Sequence, residues 1–307
     1  MVMKTDLRQN RRQFLNNTAA FTAAATVLPA ALCRAVAVRT GPWKFCAFEK
    51  PLQFLSFDEL ADLVAELGFA GIEATVRPGG HVLPERVEDD LPRFVEALKK
   101  RDLEVTILTS GISSVDQPHT EKVLRTAAKL GIQRYRMLWW RYDPKKPIWP
   151  QFEAFRPILK DLVALNRQLG ISGLYQNHAG ANMVGAALWD IYGLIKEYAP
   201  KDIGLAYDIR HAQVEAGLAW PTQFQLVQSH VTALCVKDFN WSNGGAKSVP
   251  LGDGRVDRKI VSLVKAANFT GPISIHVEYF PGDSRDLKAM AVALRKDFET
   301  LRTWMNA

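Results

Sequence analysis

The chain has 307 residues, 48% hydrophobic and 23% charged, with a formal net charge of +7. That composition suits a soluble globular body with one sizeable core. Residues 1–37 hold Lys4, Arg8, Arg11, Arg12 and Arg34 against Asp6 alone, so much of the positive excess sits there. The modestly basic remainder lacks the clustered Lys/Arg stripes of a dedicated nucleic-acid binder.

From the N-terminus, Asn10-Arg11-Arg12-Gln13-Phe14-Leu15 resembles the twin-arginine export motif. A weakly apolar run, 18–32, follows, and Ala35-Val36-Ala37 offers a small-x-small cleavage site. The run falls short of the roughly 20 residues that span a bilayer, and Pro29 interrupts it. The expectation is a twin-arginine signal peptide over 1–37, a periplasmic or secreted product with no stable membrane anchor, and a body over 38–307. A disordered basic tail or a short anchor helix is the alternative. Of three cysteines, Cys33 leaves with the signal; Cys46 and Cys235 make no disulfide framework.

The body repeats one pattern. Strands are predicted at 43–48, 71–76, 104–109, 134–140, 173–177, 203–208, 231–237 and 272–279. Helices are predicted at 56–67, opened by the capping box Ser56-x-x-Glu59, then at 91–101, 120–130, 151–169, 184–198, 214–228 with an interruption at Pro221, 257–267 and 284–304. Gly68, Gly131 and Gly170 each close a helix and precede an apolar residue and a strand. Strands alternating with helices imply parallel βαβ units, and eight of them predict a single-domain (β/α)8 TIM barrel. A doubly wound open sheet fits less well, because no Gly-rich phosphate turn follows the first strand.

In such a barrel, chemistry is read from the C-terminal strand ends. Strand two carries Glu73, with Arg77 and His81 in the loop beyond it. Strand four carries Arg136, Trp139, Trp140 and Arg141. Strand five ends Gln176-Asn177-His178, strand six gives Asp208 and then His211, strand seven gives Cys235 and Lys237, and strand eight gives His276 and Glu278 on one face. An apolar strand ending in a carboxylate, as 203–208 does, needs a cation, hydrogen bonds or water at its open end.

Several motifs together resemble the xylose-isomerase-like barrel superfamily. They are Leu67-Gly68-Phe69-x-Gly71-Ile72-Glu73, Asp208-x-x-His211-Ala212, Val236-Lys237-Asp238-Phe239, Pro250-Leu251-Gly252-x-Gly254-x-Val256-Asp257 and the final strand ending in Glu278. The superfamily includes sugar isomerases, ketose epimerases, inosose dehydratase and class II AP endonucleases. The resemblance implies a divalent ion at the barrel mouth, Mn²⁺, Mg²⁺, Co²⁺ or Zn²⁺, held by a Glu, an Asp, a His and a Glu from strands five to eight. Carried over, the ligand positions are Gln176, Asp208, Cys235 and Glu278. Two depart from the pattern: Gln cannot act as a general base, and a Cys thiolate favours Zn²⁺.

The resemblance implies an isomerase or epimerase acting on a sugar or oxidised sugar derivative, by metal-assisted proton abstraction next to a carbonyl. Glu278, His178, His276 and Lys237 are the candidate catalytic residues. Glu73, Arg77, Arg136, Trp139, Arg141 and His211 are candidates for touching substrate. Plainer roles stand beside these: Glu73 pairs with Arg77 or Lys44, His178 is a satisfied loop histidine, Cys235 is a small buried hydrophobe, and Lys237 pairs with Asp208 or Glu278. With one carboxylate base left, elimination by a lyase or dehydratase is a close variant. A non-catalytic sugar-binding protein on a degenerate barrel is the reading from another class. AP endonuclease ranks low, since six His and an export signal suit it poorly. A small carbohydrate is the expected partner; the oligomeric state, a homo-oligomer included, is left open.

Overall fold

The computed structural model describes residues 43–282 and 284–307. The export-signal reading of 1–37 lies outside the described residues. Eight parallel strands close a barrel in the order β1-β2-β3-β4-β5-β6-β7-β10 and back to β1. They are β1 (Lys44–Phe48), β2 (Gly71–Val76), β3 (Glu104–Ser110), β4 (Arg134–Arg136), β5 (Ser172–Gln176), β6 (Ile203–Asp208), β7 (Val231–Val236) and β10 (Pro272–Ile275). A two-stranded antiparallel hairpin, β8 (Asp238–Ser242) and β9 (Gly245–Val249), follows β7. Around the barrel lie α1 (Phe57–Leu67), α2 (Val87–Lys99), α3 (Thr120–Lys129), α4 (Ile148–Leu169), α5 (Trp189–Ile195), α6 (Ile209–Ala216), α7 (Trp220–Val227), α8 (Lys259–Ala266) and α9 (Leu287–Asn306). The predicted (β/α)8 barrel is what the chain forms. No helix among the described residues is long and apolar enough to cross a membrane.

The local signals act as expected at α1. Ser56 accepts from the Glu59 N–H, the Glu59 carboxylate accepts from the Ser56 N–H, and Gly68 takes φ 84° to end the helix. The barrel-to-helix layer holds the main core, and Cys46 and Cys235 are free and buried.

Inside the barrel the period of two sorts residues by height. Ile107, Leu174, Ala206, Ala233 and Cys235 form a separate apolar plug. One step further along the same inward faces stand Thr109, Gln176, Asp208 and Lys237. The strands thus deliver a dry floor and a charged ceiling.

Four segments depart from the expectations. Strand four ends at Arg136: after a last ladder bond from the Met137 N–H to the Leu174 carbonyl, the Leu138 N–H turns to the carbonyl of Ile112 and the Trp140 N–H to the Tyr175 hydroxyl. The last strand stops at Ile275. The helix predicted at 184–198 is confined to α5, since Leu188 sits at φ 59° and the Gly185 N–H is held by the Asp190 carboxylate. The helix predicted at 214–228 is two helices. Asp208 caps the first at its side chain, Gly217 at φ 51° ends it, and Pro221 sits in the first turn of the second.

Candidate active site

The mouth is built from β2, β5, β6, β7 and the extended stretch after β10. Asp208 ends β6 and also caps α6, its Oδ1 accepting from the His211 N–H at 3.0 Å. Its Oδ2 accepts from Gln176 Nε2 at 2.9 Å and lies 3.1 Å from Lys237 Nζ. Asn177 clamps the same turn through the backbone: its Oδ1 accepts from the Asp208 N–H and its Nδ2 donates to the Asp208 carbonyl. Lys237 Nζ also donates to Glu278 Oε2 at 2.8 Å. Asp208 is 0% exposed and Lys237 4%, whereas the Glu278 side chain keeps 28%.

Burial alone would raise the Glu278 carboxyl, but the Lys237 ammonium and His276 outweigh it and bring it down to about 2. Asp208 is likewise held below the usual carboxylate range: burial opposes ionisation, and His211, Lys237 and His276 overcome it. For Lys237, burial works against the charge, and Asp208 and Glu278 carry its pKa upward. The trio is therefore two carboxylates around one ammonium.

Beneath it sits a second centre. Glu73 is 0% exposed, and its oxygens accept from Arg136 Nε at 2.7 Å, His276 Nε2 at 2.8 Å, Thr109 Oγ1 and Ser274 Oγ. Arg136 also donates to Thr109 Oγ1 and, through Nη1, to Gln176 Oε1. Phe48 stacks on His276 at 4.3 Å between centroids, and the Arg136 guanidinium lies 5.2 Å from the same ring. Burial penalises the Glu73 charge, and Arg136 and His276 reverse the balance, so the carboxyl falls well below its usual range.

On the β5–β6 side, His178 Nδ1 lies 3.3 Å from the Gln176 carbonyl, an arrangement in which Nδ1–H donates and Nε2 keeps a lone pair. Burial first, then Lys237 and Arg136, lower His178 to about 4, so the imidazole is neutral at neutral pH. Trp139 packs on it at 4.6 Å and His211 at 4.7 Å. Trp139 faces the mouth, while Trp140 is buried against Phe155. His211 is nearly buried, with Nδ1 beside Arg210 and Nε2 3.7 Å from Asp208 Oδ2. Arg77 is half-buried, and its guanidinium makes no hydrogen bond or close ion pair with the described residues. Arg141 is exposed, bridged through its backbone to Met183.

Two residues expected to touch substrate are engaged by the protein itself. Glu73 has both oxygens committed and no exposure. Arg136, buried, is spent on Glu73 and Gln176. The anticipated partners of Glu73, Arg77 and Lys44, are not its partners: Lys44 pairs with Glu104.

The expected ligand quartet is also not assembled for an ion. Asp208, Cys235 and Glu278 do not bring their ligand atoms together as a group. Gln176 turns its oxygen to Arg136 and its NH₂ to Asp208. Cys235 lies in the apolar plug, and burial followed by Glu73 and Asp208 pushes its thiol well up. Among the described residues, Glu73, Cys235 and His276 do bring potential ligand atoms within 4.8 Å of one another. Its carboxylate, however, is already neutralised by Arg136 and saturated with donors. The quartet as arranged does not offer a divalent ion the free lone pairs it needs; in the second set the buried His276 Nδ1 is without a hydrogen-bond partner.

Sequence reasoning missed Glu49 at the end of β1, fully buried, which accepts from Thr75 and sits 2.7 Å from His81 Nδ1. It also missed Asp238, whose carboxylate accepts four backbone N–H groups: Phe239 and Val256 on Oδ1, Gly252 and Gly254 on Oδ2. A Cβ at 254 would fall 2.2 Å from Asp238 Oδ1, so only glycine fits there. The Pro250–Asp257 motif is thus the mould around Asp238, one residue after Lys237.

Comparison with known proteins agrees with this frame. No curated protein sequence matches the chain. Among solved structures, 3-keto-D-glucoside 4-epimerase, YcjR, from E. coli is 15% identical with a TM-score of 0.64, covering 85% of this chain and 99% of that one. The probable 3-DHS dehydratase AsbF from Bacillus anthracis is 16% identical at 0.65, covering 84% and 98%. The IOLI protein, solved with a zinc atom, is 16% identical at 0.68, covering 85% and 98%. The profile of the xylose isomerase-like TIM barrels matches residues 61–303. The chain belongs to the xylose isomerase-like TIM barrel family.

Proposed function

We propose that the chain is an isomerase or epimerase that moves a proton next to a carbonyl of a sugar or oxidised sugar derivative. The observation that carries this is the Lys237–Glu278 pair at 2.8 Å: a fixed cation beside the site carboxylate that keeps access to the mouth. A substrate carbonyl accepts from the N–H of Lys237 that Asp208 and Glu278 leave unused. Glu278 takes the proton from the adjacent carbon, and the negative charge moves onto the oxygen held by the ammonium. Neutral His178, with Nε2 free, stands on the β5 side as the second proton-transfer group. His276, held by Glu73 through Nε2, brings Nδ1 to 3.8 Å from Glu278 Oε1 without a hydrogen bond. Trp139 supplies an apolar face for the ring, Arg77 and Arg141 meet its oxygens, and His211 lines the same side. Barrels of this shape that are epimerases of keto sugars, YcjR and D-psicose 3-epimerase among them, support the substrate class.

The test is ¹H NMR in D₂O with a panel of ketohexoses and 3-keto-glucosides. The expected outcome is deuterium uptake at the carbon next to the carbonyl, lost in Glu278→Gln. Saturable binding with no exchange anywhere in the panel marks a sugar-binding protein instead and overturns the proposal.

One observation favours a second reading, elimination by a lyase. Gln176 stands where a second carboxylate base would be, so reprotonation from the opposite face rests on histidine alone. Structural similarity to the AsbF dehydratase accords with it. New vinylic signals in the same spectra would choose this reading.

Export by the twin-arginine route belongs to the same proposal and rests on Arg11-Arg12 and the run after them. Cell fractionation of wild type against an Arg11→Lys/Arg12→Lys variant tests it: the variant stays inside if the reading holds.

A further inference from the structure

The geometry points to Lys237 as a built-in cation standing in the barrel's ion position, so that this site works without a divalent metal. Its ammonium lies between the carboxylates that end the sixth and eighth strand segments, 3.1 Å from Asp208 and 2.8 Å from Glu278. The resemblance drawn from the sequence puts the ion between those same two residues.

The surroundings are shaped for an ammonium. A metal ion requires ligands that present lone pairs. Here Asp208 is met by donors on every side: Gln176 Nε2, the His211 N–H and Lys237 Nζ. Gln176 faces the site with its NH₂ because Arg136 has taken its oxygen. Cys235 offers a neutral thiol packed among Ala206, Ala233, Leu174 and Ile107. Lys237 belongs to the Val236-Lys237-Asp238-Phe239 motif that carries the family resemblance, so the two departures from the ligand pattern lie around a lysine already in place. Removing a carboxylate and an imidazole lowers the negative charge and the ligand count, and a monovalent, tethered cation then balances what is left.

A buried ammonium is costly unless it is permanently paired, and Lys237 is paired twice. It has three N–H groups, and the two carboxylates use two. One remains for a single substrate oxygen. This site polarises one substrate oxygen.

The inference rests on the arrangement of charges and holds whichever reaction the barrel performs, so its test needs no substrate. Mn²⁺ is titrated into the full-length protein and into Lys237→Met, with bound ion read by electron paramagnetic resonance and stability by thermal melting. Wild type is expected to bind no Mn²⁺ and to melt at the same temperature with ion or chelator. Lys237→Met leaves Asp208 and Glu278 without their cation; it is expected to melt lower and to regain roughly 5 °C with saturating Mn²⁺. Adding Gln176→Glu and Cys235→His to it is expected to tighten Mn²⁺ further. Stoichiometric Mn²⁺ on wild type that Asp208→Asn abolishes overturns the inference, as does a folded Lys237→Met blind to Mn²⁺. If Lys237→Met does not fold, the wild-type titration decides alone, with Lys237→Arg as a folded variant that should also ignore the ion.

Discussion

The barrel holds two carboxylate centres, one above the other, and they are built to opposite ends. Glu73, below, is closed: 0% exposed, four donors on two oxygens, and a guanidinium for its charge. Glu278, above, is open: its side chain is 28% exposed and it is held by an ammonium that has a spare N–H. Both carboxyls lie below their usual range through a neighbouring cation. Desolvation and pairing alone therefore do not mark a working residue; access and an unspent donor do. The lower centre ties β2, β3, β4 and β10 together, and the upper one is left free to react.

The sharpest way to break this comparison is to remove each charge in turn. Glu278→Gln is expected to lower kcat on the order of 10³-fold with only a modest fall in melting temperature, since Asp208 still pairs Lys237. Glu73→Gln is expected to do the reverse, costing about 3–5 kcal/mol of stability in urea unfolding because Arg136 is left buried and unpaired. If Glu73→Gln folds at full stability and is inactive, the assignment of the two centres is inverted. Pairing Glu73→Gln with Arg136→Met should recover much of the loss, as removal of both partners does for buried ion pairs.

Next in size is the response to acid. Glu73, Asp208 and Glu278 have lowered folded-state pKa values, so the stability they lend is complete above their unfolded values near 4 and drains away as the pH falls toward 2. His178 is lowered to about 4, so it stays neutral through the range where an ordinary histidine titrates. The acid limb of kcat/KM is expected near pH 4, not at 6–7. A limb at 6–7 that disappears in His178→Asn would show that His178 is not in the desolvated setting described.

The smallest effect concerns a carboxylate outside both centres. Asp297 on α9 accepts from the Leu251 N–H, and burial raises it to about 6. A raised carboxyl stabilises the fold fully below its unfolded value near 4, and that contribution is lost as the pH rises through 6. Asp297→Asn is therefore expected to gain on the order of 1–2 kcal/mol at pH 7.5 and nothing at pH 4, read from paired denaturation curves.

How far these centres could be read from the chain follows from what a period of two can carry. Cys235 and Lys237, or His276 and Glu278, are two residues apart, and alternation alone puts each pair on one inward face, Cys235 in the plug and the others above it. Partners across the barrel are another matter. Arg136 and Glu73 are 63 residues apart, and nothing local says that Arg136 turns inward to Glu73 while Arg77 and Lys44 do not. The Glu49–His81 contact is hidden for the same reason. The hairpin was signalled, since Asn243-Gly244 separates Asp238–Ser242 from Gly245–Val249 as a two-residue turn, but the short alternation Phe239-Asn240-Trp241 lies inside a stretch that otherwise reads as loop. Strand four failed at its end because tertiary hydrogen bonds, not propensity, bend 137–140 away.

The four amide hydrogens gathered by Asp238 separate what is fixed in this molecule from what is free to vary. They fasten the chain one residue beyond Lys237, so the ammonium's position is insulated from whatever happens further out on the hairpin. Between Asp238 and the Pro250–Asp257 mould lies a ribbon whose tip, 241–245, is exposed and bears Trp241. For a protein engineer that ribbon is the place to lengthen, shorten or randomise when seeking new substrates. Changes there leave the reactive lysine where it is, whereas a single side chain at Gly254 would displace it.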